Sequence, residues 1–110
     1  MRIAVAQINP TLGDFKANSK KIINALNWAS DQTADLVVFP ECSLFGYHPF
    51  DLLEQKKIVS KQLKYLDQIQ KALPVGVAAI FGLLTENKKK LGRPFFNSCV
   101  LIEHGKKPKF

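Results

Sequence analysis

The fold of this chain is decided by residues 36–41, which read Leu-Val-Val-Phe-Pro-Glu. Four apolar residues in a row predict a short buried strand, and the proline ends it because proline has no N–H to donate to a neighbouring strand. The next residue is acidic, Glu41. If the sheet is parallel at this point, Glu41 follows the carboxyl end of a strand, where open α/β sheets place their binding and catalytic groups.

Strand and helix patterns alternate on both sides of this stretch. Residues 2–8 form an apolar run that predicts a strand buried on both faces, and Asp14 is placed to cap a helix that follows it. The buried stripe of this first helix is predicted at Phe15, Ser19, Ile22, Leu26 and Ala29. A second helix is predicted over residues 53–73, with its stripe at Val59, Leu63, Leu66, Ile69 and Leu73.

Two further strands are predicted after the second helix. They cover residues 75–84 and 95–102, joined by a polar, lysine-rich connection of the kind found in hairpins. The resulting order β-α-β-α-β-β predicts an α/β fold with a mixed sheet, parallel at first and antiparallel at the hairpin. Residues 107–110 resemble the opening of one more strand, so the domain is expected to be incomplete.

Composition narrows the class of protein. The chain has 110 residues, enough for one domain, and it is 46% hydrophobic and 23% charged, as soluble globular proteins are. No apolar run approaches the roughly 20 residues that cross a bilayer, so we expect a cytoplasmic protein without membrane contact. The net charge is +7, but the basic residues are spread along the chain, which argues against a nucleic-acid-binding face.

Few side chains are candidates for chemistry. Glu41, flanked by apolar residues, would be partly desolvated, as a general base requires, although a surface or helix-capping glutamate remains open. Cys42 and Cys99 are expected to be reduced and inert, the first beside an acid and the second buried within a strand. His48 and His104 have no partners at metal-ligand spacing, and we predict no metal site.

Five stretches of the sequence resemble one family. Residues 3–10 and 36–41 are similar to the nitrilase, or carbon–nitrogen hydrolase, superfamily. Within it, residues 7–14 (Gln-Ile-Asn-Pro-Thr-Leu-Gly-Asp), 46–53 (Gly-Tyr-His-Pro-Phe-Asp-Leu-Leu) and 92–98 (Gly-Arg-Pro-Phe-Phe-Asn-Ser) resemble the N-terminal glutaminase domain of glutamine-dependent NAD+ synthetases. Residues 1–110 would then be the N-terminal part of a nitrilase-like amidase domain, a four-layer α-β-β-α sandwich.

The resemblance also implies a mechanism. The family hydrolyses amides with a glutamate base, a lysine and a cysteine nucleophile, and Glu41 falls on the glutamate. Tyr47 falls in the region of the glutamine pocket, although it could equally be a packed loop tyrosine. Neither Cys42 nor Cys99 matches the nucleophile, and the lysine is expected just after Phe110, so the 110-residue chain alone is expected to be inactive.

The resemblance extends to substrates and partners. Glutamine would be the substrate, and the released ammonia would amidate deamido-NAD+ in a separate synthetase domain that uses ATP and Mg2+; no cofactor is expected in this segment. An apolar sheet face left uncovered would favour a homo-oligomer. Two alternatives stay open: another carbon–nitrogen hydrolase acting on a different amide or a nitrile, and a non-enzymatic α/β binding module.

Overall fold

A computed structural model describes residues 1–46, 55–89 and 91–110. Its elements are β1 (Ile3–Val5), α1 (Phe15–Asp31), β2 (Leu36–Val38), α2 (Gln55–Ala72), β3 (Ala78–Glu86) and β4 (Phe95–Glu103). The predicted order β-α-β-α-β-β is therefore confirmed. The third strand begins and ends slightly later than the sequence pattern indicated, and residues 107–110 contribute only an isolated bridge between Lys109 and Leu101.

The four strands form one mixed sheet in the order β1-β2-β3-β4. Strand β2 pairs in parallel with both β1 and β3, whereas β3 and β4 form an antiparallel hairpin. One row of the sheet joins Val5, Val38, Ile80 and Leu101 across all four strands. The parallel pairing brings the ends of β2 and β3 to the same edge, which is where Glu41 emerges.

Helix α1 forms as its sequence predicts. The Asp14 carboxylate accepts a hydrogen bond from the Ala17 N–H at 3.0 Å and caps the first turn. All five predicted stripe residues are buried, and Asn18 joins them. The ring of Phe15 stacks on Tyr65 of α2 at a centroid distance of 5.8 Å, so the two helices pack against each other.

Helix α2 corrects one predicted core position. Leu63 is exposed, and the buried stripe runs through Gln62 instead. The Gln62 amide donates to the Leu84 carbonyl at 2.7 Å and accepts from the Leu84 N–H at 3.1 Å. Leu84 pairs with Asn97 of β4 on one side, whereas β2 stops at Val38 and does not reach Leu84 on the other side, where Gln62 supplies both hydrogen bonds.

The two faces of the sheet differ in their covering. On the helix side, β2 and β3 bury Val37, Ala79 and Phe81, as alternation along a strand requires. On the other side, Ile3 is 54% exposed and Val5 is 81% exposed. The prediction that the first strand is buried on both faces is wrong for this structure, because the helices cover only one face.

Candidate functional site

The segment after β2 folds into a tight turn over residues 41–45. The Gly46 N–H donates to the Cys42 carbonyl at 2.7 Å, and the Ser43 hydroxyl donates to the Pro40 carbonyl. Cys42 takes a left-handed backbone conformation with φ of 52°. The turn therefore reverses the chain directly after the strand and holds Glu41 at the carboxyl edge of the sheet.

A glycine in the neighbouring strand makes room for this turn. A Cβ atom on Gly82 would lie 2.3 Å from the Cys42 backbone nitrogen and 3.0 Å from two backbone atoms of Glu41. These distances are shorter than van der Waals contact, so a side chain at this position would collide with the turn. Gly82 lies within the strand predicted over residues 75–84, and no local pattern in the sequence indicates this role for it.

A buried asparagine ties the turn to the loop that precedes α1. The Asn18 amide donates to the Thr11 carbonyl at 2.7 Å and to the Leu44 carbonyl at 3.1 Å, and it accepts from the Thr11 N–H at 2.8 Å. Phe45 packs edge-on against Phe15 with ring centroids 5.6 Å apart. The turn is thus anchored by polar contacts at its backbone and by an aromatic contact in the core.

The Glu41 carboxylate meets a residue of the far hairpin strand. Asn97 of β4 donates a hydrogen bond from Nδ2 to Glu41 Oε1, and its Oδ1 accepts one from Cys42 Sγ at 3.7 Å. Glu41 itself is exposed. The expected partial desolvation of this carboxylate is therefore wrong for this structure, because the uncovered sheet face leaves Glu41 open to solvent.

The two cysteines differ in their surroundings. Cys42 is buried, and its pKa is raised first by that burial and second by the negative charge of Glu41. This thiol stays protonated at neutral pH, in agreement with the inert role predicted for it. Cys99 is exposed, which corrects the expectation of a buried strand cysteine: alternation along β4 places it on the uncovered face.

A shallow groove of about 380 Å³ lies beside Glu41. Its walls come from the end of β2 and the middle of the β3–β4 hairpin, and include Phe39, Phe81, Asn97 and Ser98. One carboxylate and one amide among apolar residues form the pattern of a small-molecule site. Tyr47, the other predicted site residue, lies outside the described residues, as does His48.

Metal ligands do not assemble in the part of the chain that the structure describes, where no group of three His, Cys, Asp or Glu side chains could hold an ion. The His104 ring contacts the Leu73 carbonyl through Nδ1 at 2.9 Å. Among the same residues, no helix is long and apolar enough to cross a membrane.

Sequence reasoning identified Glu41 but missed the residues that hold it. Asn97 was noted only as part of a family motif, and Asn18 was not singled out. A polar residue on the apolar stripe of α1 was the available signal for Asn18, because a buried amide needs partners. No local signal exists for the contact between Glu41 and Asn97, which are separated by 56 positions.

The chain is similar to curated glutamine-dependent NAD(+) synthetases. The glutamine-dependent NAD(+) synthetase of Thermotoga maritima is 37% identical over 106 residues, which cover 96% of this chain and 18% of that protein. The chain therefore spans about a fifth of the length of the curated relatives it matches.

Two solved structures share the fold. A glutamine-dependent NAD(+) synthetase from Cytophaga hutchinsonii superposes with a TM-score of 0.83 at 24% identity, over 96% of this chain and 17% of that one. An amidase from Nesterenkonia sp. gives a TM-score of 0.72 at 26% identity, over 94% of this chain and 38% of that one. The carbon-nitrogen hydrolase family itself matches residues 2–109. The chain belongs to the carbon-nitrogen hydrolase family.

Proposed function

We propose that Glu41 is the general base of a glutaminase site in a glutamine-dependent NAD+ synthetase. The observation that carries this proposal is the position of its carboxylate: it follows a parallel strand, faces a groove and is held by an amide from another strand. The similarity to NAD(+) synthetases supports glutamine as the substrate. Tyr47, by its place in the glutamine-pocket motif, is proposed to contact that substrate.

The chemistry divides into two half-reactions that use the same base. Glu41 takes the proton of a cysteine thiol, the sulfur attacks the amide carbon of glutamine, and the proton leaves with ammonia as the C–N bond breaks. Water then attacks the thioester, Glu41 accepts a proton from it, and the thiol is restored as glutamate departs. A lysine stabilises the oxyanion in both steps. Both the nucleophile and the lysine belong, by the resemblance, after Phe110.

The ammonia is proposed to serve an ATP-dependent amidation of deamido-NAD+, with ATP and Mg2+ bound by a separate synthetase domain. The proposed setting is the cytoplasm, in keeping with two cysteines that form no disulfide. We propose no nucleic-acid or membrane partner.

A chimera tests the role of Glu41. Residues 1–110 would replace the matching segment of the Thermotoga maritima synthetase, and NAD+ formation would be measured with glutamine and, separately, with ammonium chloride. We expect Glu41→Gln to lower the glutamine-dependent rate by about 10²-fold or more, the usual contribution of a general base, and to leave the ammonium-dependent rate unchanged. Asp31→Asn, which changes an exposed carboxylate at the last residue of α1, is the matched control and should change neither rate.

The result also separates the alternatives. If Glu41→Gln keeps its glutamine-dependent activity, Glu41 is not the base. Another carbon-nitrogen hydrolase activity is the second candidate, favoured by the similarity to the Nesterenkonia amidase. Hydrolysis of simple amides with no preference for glutamine would support it. The 110-residue chain alone is expected to release no ammonia from glutamine. Release above the buffer control would contradict the proposal that the cysteine nucleophile and the lysine belong after Phe110.

Self-association is proposed for the uncovered sheet face. Ile3 and Val5 expose 54% and 81% of their surface, and exposed apolar area favours association. Light scattering at rising concentration should show oligomers of the chain. Val5→Lys places a charge on this face and should shift the population toward monomer, whereas a clean monomer of the unmodified chain would contradict the proposal.

A further inference from the structure

Asn97 joins Glu41 to Cys42 through the two ends of one amide. Its Nδ2 donates to Glu41 Oε1, and its Oδ1 accepts from Cys42 Sγ at 3.7 Å. A carboxylate only accepts hydrogen bonds and a protonated thiol donates one, so a single orientation of the amide satisfies both neighbours. We infer that Asn97 is a positioning residue, which fixes the direction of the Glu41 carboxylate and is itself oriented by Cys42.

The Cys42 thiol is suited to orient the Asn97 amide. Burial, followed by the negative charge of Glu41, raises the pKa of Cys42, so the S–H group remains a donor at neutral pH. If the amide turned over, its oxygen would face the carboxylate and its N–H groups would face the thiol. Both contacts would then be lost, and the carboxylate would meet an acceptor. Cys42 is inert as a nucleophile, and its role here is to orient the Asn97 amide.

The strand that carries Asn97 is held firmly in place. Asn97 pairs with Leu84 in the β3–β4 hairpin, and the Thr85 and Ser98 hydroxyls hydrogen-bond across the same strands at 2.6 Å. Glu41, by contrast, is exposed, and its side chain contains several rotatable bonds. A hydrogen bond from a residue of a paired strand to an exposed carboxylate restricts the directions that the carboxylate can take, which keeps a general base in reach of the proton it transfers.

The 110-residue chain itself allows the contact to be tested by NMR. We expect one Asn97 Nδ2 proton to shift when the solution is made acidic, because protonation of the Glu41 carboxylate removes the charged acceptor of its hydrogen bond. Glu41→Gln should abolish that shift and accelerate solvent exchange of the proton about tenfold, as expected for loss of a charge-assisted hydrogen bond. Cys42→Ala should keep the pH-dependent shift but broaden or split the amide signals. An Asn97 signal that ignores both pH and Glu41→Gln would overturn the inference.

Activity supplies the second test, in the chimera with the Thermotoga maritima synthetase. This part rests on the proposed function, since it assumes that Glu41 is the base. Asn97→Leu should lower the glutamine-dependent kcat by about 10²-fold, as small misplacements of catalytic groups do, with little change in KM and none in the ammonium-dependent rate. Asn97→Asp should recover part of the activity as pH falls, because a protonated Asp can again donate to Glu41.

The outcomes distinguish the two claims. Loss of the NMR contact while Glu41→Gln still abolishes activity would remove the positioning role and leave the base in place. An intact NMR contact with an active Glu41→Gln chimera would remove the proposed function instead. A purely structural Asn97 predicts equal losses for Asn97→Leu and Asn97→Asp at every pH, and that result would also overturn the inference.

Discussion

Replacing Gly82 with alanine should displace the catalytic turn. The new Cβ would lie 2.3 Å from the Cys42 nitrogen, so the turn must retreat by about 1 Å to reach ordinary contact. Overpacking of this kind costs about 1–3 kcal/mol, and the lower chain entropy of alanine offsets roughly 0.5–1 kcal/mol of it. The net range is about 0–2.5 kcal/mol, and we expect the free energy of unfolding to fall by about 1–2 kcal/mol, the middle of that range, which corresponds to a drop in Tm of about 5–10 °C.

Two measurements check this expectation. Thermal unfolding followed by circular dichroism gives the stability loss, and the pH-dependent NMR shift of Asn97 reports whether Glu41 has moved out of reach. Gly105→Ala is the matched control: its Cβ meets nothing within 4 Å, and only its left-handed φ of 70° is unfavourable. It should reduce stability without changing the Asn97 signal. If Gly82→Ala leaves both Tm and the Asn97 signal unchanged, the turn is not packed on β3 as described.

Three other perturbations have expected results. Dithionitrobenzoate should modify exposed Cys99 at once and Cys42 only slowly, and equal rates would contradict the burial of Cys42. In a Cys99→Ser background, Glu41→Gln should speed modification of Cys42 near pH 8, because loss of the negative charge lowers the thiol pKa; an unchanged rate would show that burial alone controls it. Gln62→Leu should lower the free energy of unfolding by about 1–3 kcal/mol, since two backbone groups of β3 lose their partner, whereas exposed Gln68→Leu should have little effect in the same urea titration.

Helix α1 could be predicted because its signals are local. Phe15, Ile22 and Leu26 recur at helical spacing, and Asp14 stands where a cap is needed, so α1 was predicted with its cap and its buried face. The same reasoning failed at Leu63. Hydrophobicity favours leucine at that point, but the helix turns Gln62 toward β3.

The burial of Gln62 in place of Leu63 is explained by the sheet rather than by the helix. On its β2 side, the backbone of Leu84 lies past the end of β2, and an amide side chain is the group that can both donate to it and accept from it there. No residue pattern within α2 indicates that the backbone of Leu84 needs such a partner. A side chain that completes the hydrogen bonds of a distant strand could be predicted only after the strand lengths were known.

The candidate site also has parts that local sequence predicts and parts that it does not. The position of Glu41 at the end of a strand follows from the apolar run and the proline, which are adjacent in sequence. Its partner Asn97, and the space above Gly82, depend on how strands far apart in the chain align. The exposure of Cys99 could not be predicted because the sequence does not say which face of the sheet the helices leave open.

The uncovered face bears directly on how Glu41 could work. The groove beside it is walled partly by residues of that face, among them Val38, Ile80 and Cys99, so any layer packed there would narrow the groove and exclude water from it. Asn97 would then be the donor that keeps the carboxylate satisfied as its water is removed. The hydrogen bond from Asn97 to Glu41 would therefore matter more in a covered site than it does on the open face of this structure. A buried carboxylate without a donor is strongly disfavoured.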